Sequence, residues 1–149
     1  MLSNETFFLN SNPDTTITSP GNARHPLTVA AYNQNNDSIL PESGRGYTRS
    51  GQIKPDISAP GFQITCAVPG NQYGTATGTG AAAAHAAGII AMVFEWAIVR
   101  GNYLRMTGND INRLMISGAF RSSAYSFPNN IWGYGQVDIN QLFERFTNL

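Results

Sequence analysis

Residues 74–88 read GTATGTGAAAAHAAG, a glycine-rich turn that runs without a break into an alanine-rich helix. Few features restrict a chain more. Gly78 and Gly80 permit positive φ and close backbone approach. The first N–H groups of the helix that follows have no partner inside it and point outward, so they suit an anion or developing negative charge. The helix itself is predicted over residues 81–100, with Gly101 as its stop. A helix rich in alanine and apolar nearly all round belongs inside a layered core.

The apolar run 81–99 has the length of a bilayer span. His85 and Glu95 lie inside it, its first half is mostly alanine, and no aromatic–basic belt precedes it, so no membrane partner is expected. Nor is a nucleic-acid partner expected. Nine Lys+Arg balance nine Asp+Glu, Lys54 is the only lysine, and a balanced surface has no polyanion footprint. The 149 residues suffice for one core of a single domain. One cysteine, Cys66, excludes an internal disulfide framework and any multi-cysteine zinc site. No cluster of histidines and carboxylates has ligand spacing, so neither metal nor cofactor is expected. Residues 1–10 lack a basic n-region and carry Glu5 where a secretory signal would be apolar.

Around the turn, strands come first and helices last. Strands are expected at residues 5–10, 27–32 and 62–68, and 15–18 reads as extended. The second of these is a continuous small-apolar run of the kind covered on both faces. Residues 54–61, with two prolines, read as irregular. A second helix is expected at 109–119, capped by Thr107 or Asn109. A last one is expected at 139–146, capped by Asp138, with Leu142, Phe143 and Phe146 inward. This order indicates part of an α/β sheet layered with helices.

Three readings of the turn compete. Gly78-Thr79-Gly80-Ala81-Ala82-Ala83 matches the dinucleotide pattern G-x-G-x-x-A, but no hydrophobic strand is expected to end at Gly78 and no acidic residue follows at the required spacing. A serine hydrolase places its nucleophile at the start of such a helix, where the nucleophile's own N–H helps stabilise the oxyanion. A tight turn with no chemistry is the third.

Several motifs favour the second. Residues 77–88 resemble the subtilase nucleophile signature G-T-S-x-x-x-P-H-x-A-G. Lys54-Pro55-Asp56-Ile57-Ser58-Ala59-Pro60-Gly61 is similar to that family's P-D-x-x-A-P-G segment. Trp132-Gly133-Tyr134-Gly135-Gln136-Val137-Asp138 resembles the strand that closes the subtilase domain. The motifs occur in order and at the family's spacing, from about residue 15 to 146. Residues 15–22, 27–33 and 95–102 are most similar to clostridial-type subtilases, including those of spore germination. The resemblance implies a serine endopeptidase family, a spore-associated or extracellular setting, and a cis bond at Ser19–Pro20. It also admits a carbonyl-rich cation site around residues 20–26.

The sequence departs from the pattern at the centre. Gly80 stands where the family has its serine, and glycine cannot form an acyl-enzyme. Only its backbone N–H remains. Thr79 is one residue off, so its hydroxyl points elsewhere. Ala84 replaces the family's proline. The family's Asp and His precede its Ser, in a half of the domain that residues 1–149 do not match. His85 is expected to be a packed or hydrogen-bonded helix histidine, His25 a surface one, and Asp56 to order the turn at Ala59-Pro60-Gly61.

The resulting expectation is an α/β fold: the C-terminal half of a subtilisin-like domain, mainly parallel, with a long buried central helix and two covering helices. Residues 1–149 would form a partial domain, a pseudoprotease or truncated product that pairs with the missing N-terminal half or with itself. It would act on peptide or protein substrate only when complemented. Alternatives are a portion of an active subtilase and a nucleotide-binding protein using Gly78–Gly80. Titration calorimetry with NAD or ATP separates the last from the rest: no binding heat is expected, and saturable heat would restore the nucleotide reading.

Overall fold

The computed structural model describes residues 10–147; the strand expected at 5–10 and the side chain of Phe146 lie outside the described part. Strands β1 (Val29–Asn33), β2 (Ser38–Ile39) and β3 (Ile57–Pro60) form one sheet in the order β2-β1-β3. β1 and β3 run parallel, with Val29 opposite Ile57 and Tyr32 opposite Pro60, while β2 turns back antiparallel on the end of β1. Strands β4 (Ile64–Val68) and β5 (Gln72–Ala76) make a separate antiparallel hairpin. Helix α1 (Thr79–Phe94) continues through one wide turn, Glu95–Val99, and stops at Gly101, whose φ is +76°. Helices α2 (Gly108–Ser117) and α3 (Ile139–Thr147) complete the layer.

The expected strand at 27–32 is β1, shifted two residues at its start. The segment 54–61 is not irregular: it contains β3. Its prolines misled because Pro55 precedes the strand and Pro60 ends it, where a missing N–H costs no ladder bond. Residues 15–18 are not a strand; Thr15 has φ +59°. The last motif runs beside β3: Ser58 N–H donates to Gly135 O at 2.9 Å, and Val137 N–H donates to Ser58 O at 2.8 Å.

Helix α1 lies across β1 and β3. Ala82, Ala86, Val93 and Ala97 face inward and are buried with Ala31, Ile57 and Ala59. Small residues on both sides let helix and sheet approach closely. Burial of α1 stops there, because Ala83, Ala84, Ala87, Gly88, Ala91 and Met92 are exposed. Among the described residues, the central helix is therefore covered on one side only.

Both helix caps follow the sequence. Thr107 and Asp110 form a capping box on α2, with Thr107 N–H donating to Asp110 Oδ2 at 2.9 Å. The Thr107 hydroxyl and amide hold the Asp110 carboxyl below the usual aspartate range. The box thus contributes above that range and fades as pH falls through the lowered value. Asp138 Oδ1 accepts from Asn140 and Gln141 N–H at the start of α3. Deeper in, Lys54, only 3% exposed, donates through Nζ to Asp56 Oδ2 and to Pro26 O, both at 2.6 Å. Asp56 Oδ2 also accepts Thr28 N–H at 2.6 Å. Asp56 therefore ties the start of β3 to the start of β1, and does not order the turn at Gly61.

That turn is held by backbone. Gly61 N–H donates to Tyr32 O at the end of β1, and Gly61 O accepts Gly78 N–H, both at 2.8 Å. A Cβ on Gly61 would sit 2.8 Å from Ala31 Cβ and 2.9 Å from Gly78 O. Gly61→Ala is expected to cost about 2 kcal/mol by overpacking, read as a lowered urea midpoint with unchanged slope.

Candidate functional site

The hairpin and the sheet converge on the turn at residues 77–80. Thr77 Oγ1 accepts Gln63 N–H at 2.9 Å, which holds β5's exit against the start of β4. Gly78 has φ +122° and ψ −177°, a backbone state essentially restricted to glycine. This one residue turns the chain from strand to helix. Ala82 N–H already bonds to Gly78 O at 3.2 Å. No side chain caps α1, and no acidic residue lies in its first turn. The leading N–H groups of the helix are thus left to whatever lies in front of it.

Thr79 and Gly80 are both exposed. Gly80 differs from Gly78 in a decisive way. Its φ is outside the left-handed region, and a Cβ added there meets nothing within 4 Å. Nothing in the local backbone demands glycine at position 80. The site has the room and the conformation for a side chain that the sequence does not supply.

Two concavities flank the turn. On one side a cavity of about 440 Å³ is lined by Thr79 with Thr18, Ser19, Gly21, Val29 and Ser43. Its wall is built by the loop that contains the cis Ser19–Pro20 bond, and that bond agrees with the sequence resemblance. The sequence reading missed this cavity, because its two loops are 24 residues apart from Ser19 to Ser43 and only β1 brings them together. On the other side a groove, also about 440 Å³, separates the hairpin from the first turns of α1. Cys66, Ala76, Gly80, Ala84 and His85 line it. The Cys66 thiol is free and half-buried.

His85 departs from its expected role. It is exposed and makes no hydrogen bond among the described residues. His25 is exposed as expected, and its carbonyl accepts Asn112 Nδ2 at 2.9 Å. In the loop at 20–26, Pro20 O accepts Ala23 N–H, Gly21 O accepts the Thr28 hydroxyl and Pro26 O accepts the Lys54 ammonium. The chain's own donors engage these carbonyls. The dinucleotide motif fails on topology. A strand, β5, does end just before Gly78, but it belongs to an antiparallel hairpin and not to a parallel strand–helix–strand unit.

The site is thus a strand-to-helix turn with an uncapped helix start, set against a parallel strand pair and flanked by a cavity. Comparison with known proteins identifies the family. The Subtilase family model matches residues 3–135, and the chain belongs to that family. Serine protease AprX of Bacillus subtilis is 36% identical over 150 residues, covering 87% of this chain and 32% of its own length. Alkaline elastase YaB of a Bacillus species is 32% identical over 98 residues, 62% of this chain and 24% of its own. The structure of the Clostridium perfringens CspB protease superposes with a TM-score of 0.92 at 35% identity, over 97% of this chain and 32% of that one. The self-cleaved protease domain of PatA shares the fold, with a TM-score of 0.73 at 20% identity over 92% of this chain and 47% of that one. This chain thus spans between about a third and about half of the relatives it matches over most of its length. The clostridial-type resemblance and the α/β fold of the sequence reading both hold.

The two glycines of the turn should respond oppositely to substitution. Gly78→Ala is expected to destabilise by about 1–3 kcal/mol. Gly80→Ser is expected to change stability by no more than about 0.5 kcal/mol. Thermal unfolding of both variants checks this.

Proposed function

We propose that this chain is a segment of a subtilisin-like serine protease domain that is catalytically inactive as it stands. One observation carries the reading: position 80, at the start of α1, has no hydroxyl. Acyl transfer needs an oxygen or sulfur that can bond to the substrate carbonyl carbon. Thr79 does not replace it, because its side chain lines the cavity wall one position earlier. Cys66 lies on β4, on the hairpin side of the groove that Gly80 also lines. What remains is electrostatic. The Gly80 N–H, at the positive end of α1, is oriented for negative charge on a carbonyl oxygen. Without a nucleophile that donor stabilises no reaction.

In this proposal the family's Asp and His are supplied from outside residues 1–149, by the N-terminal half of a subtilase domain. The chain engages peptide or protein substrate only when so complemented, and needs no cofactor. The cavity beside Thr79 would then take a side chain of the bound peptide next to the reacting carbonyl.

A second reading is that the chain is a portion of an active subtilase in which position 80 has lost its serine. The open space around Gly80 favours it, because the turn is still shaped for a hydroxymethyl group. A serine-directed phosphonate distinguishes the two states of the site. In the complemented domain the native Gly80 should show no labelling, and Gly80→Ser should label stoichiometrically. Labelling of the native form would overturn the inactive reading. No labelling of Gly80→Ser in a folded, complemented domain would show that more than the nucleophile has been lost.

A further inference from the structure

Four aromatic rings gather on the surface beyond the end of β1, where Phe120, Tyr125, Phe127 and Trp132 line a cavity of about 400 Å³. No residue of the turn at 77–80 contributes to it. Trp132 is buried, with its ring centroid 5.6 Å from that of Tyr32 and 6.0 Å from that of Tyr125. Tyr125 and Phe120 are 52% and 43% exposed. Rings left in water forgo the burial that normally stabilises them, so a cluster of them marks a place for a ligand.

The backbone holds these rings in place. Phe120 and Gln136 exchange both N–H···O bonds, at 2.8 and 2.9 Å. Asn129 and Gly133 do the same at 3.0 and 3.1 Å, and Asn129 Oδ1 also accepts Trp132 N–H at 2.7 Å. The cavity is thus formed before anything enters it.

Its charge is one-sided. Asp37 is the only charged side chain among the lining residues. The surrounding turn is tied by Asn33 and Asn36, whose side chains accept Asn35 and Ser38 N–H. The Asp37 carboxylate itself makes no hydrogen bond or ion pair among the described residues. Its field reaches the ring layer: burial, then Asp37 and Asp138, hold the Tyr32 phenol above its usual range. Arg121, the base next to Phe120, is engaged elsewhere, with Nη2 donating to Ile116 O at 2.7 Å.

Aromatic faces are negative and attract a cation, most strongly one that has shed its water. A bare ammonium is tightly hydrated. One whose charge is covered by methyl groups enters an apolar cavity at less cost, and aromatic cages recognise that chemistry. A neutral occupant would make no use of Asp37, and an anion would be repelled by it.

We propose that this cavity binds a quaternary ammonium, with Phe120, Tyr125 and Trp132 around the methylated charge and Asp37 at the rim. The inference goes beyond the protease reading and does not depend on it. Every lining residue belongs to this chain, so the chain and the complemented domain should behave alike.

Trp132 reports on its own site once the second tryptophan is removed by Trp96→Phe. Choline should change its fluorescence saturably. The neutral isostere 3,3-dimethylbutan-1-ol should bind about tenfold more weakly. Asp37→Asn keeps a residue that tolerates the left-handed backbone, φ +52°, at position 37. It should weaken choline about fivefold and leave the isostere unchanged. Tyr125→Ala should weaken choline similarly, with an unchanged circular dichroism spectrum, while Tyr125→Phe retains binding. Phosphatidylcholine vesicles present the same trimethylammonium group. Co-sedimentation reversed by free choline would place the ligand on a lipid head group, and choline binding without co-sedimentation would place it in solution. Equal affinity for choline and its isostere would overturn the proposal. So would choline binding indifferent to both Asp37→Asn and Tyr125→Ala, or no saturable change in the folded protein.

Discussion

Two backbone hydrogen bonds at Gly61 set the geometry on which the site depends. Its N–H closes the end of β1 at Tyr32, and its carbonyl receives the N–H of Gly78. The parallel pair and the helix start are thereby joined through one residue with no side chain. The close contact with Ala31 and Gly78 explains why only glycine serves there. Close packing leaves no slack at this point. A shift of the Gly61 turn would carry the N-terminus of α1 with it, and the cavity beside Thr79 would change shape.

The same economy of side chains runs along α1. Its inward residues are mostly alanine because the sheet beneath them, Ala31 and Ala59, is equally low. Its outward residues are small without any such reason within the chain. Among the described residues, one face of the helix is covered by the sheet and the other is exposed. Its N-terminus is uncapped, lies beside a cavity and carries no hydroxyl at position 80. These properties are separable: the dipole and the exposed N–H groups belong to the helix, whereas reactivity belongs to a single side-chain oxygen.

Local signals were legible where short-range physics decides. The helix stop at Gly101, the Thr107 capping box and the Asp138 cap are contacts between near neighbours, and their residue types announce them. So was the glycine turn into the helix, because Gly78 adopts a backbone state that its residue type makes available. Strand β3 was hidden because its flanking prolines mimic a loop. Only pairing with β1 reveals it. The hairpin read as one strand and a turn, since Tyr73 and Thr75 face solvent and show no apolar alternation. The role of Asp56 was misjudged for a similar reason: its partner Thr28 is 28 residues away.

By itself, the sequence determined the family motifs, the placing of strands before helices, and the absence of a hydroxyl at position 80. Each is a property of residue type and spacing along the chain. Tertiary structure alone decided that Gly80 has room for a side chain, that loops around Ser19 and Ser43 form one cavity with Thr79, and that α1 keeps an uncovered face. Those facts depend on distances between residues far apart in sequence. Such distances exist only after β1, β3 and α1 have packed together.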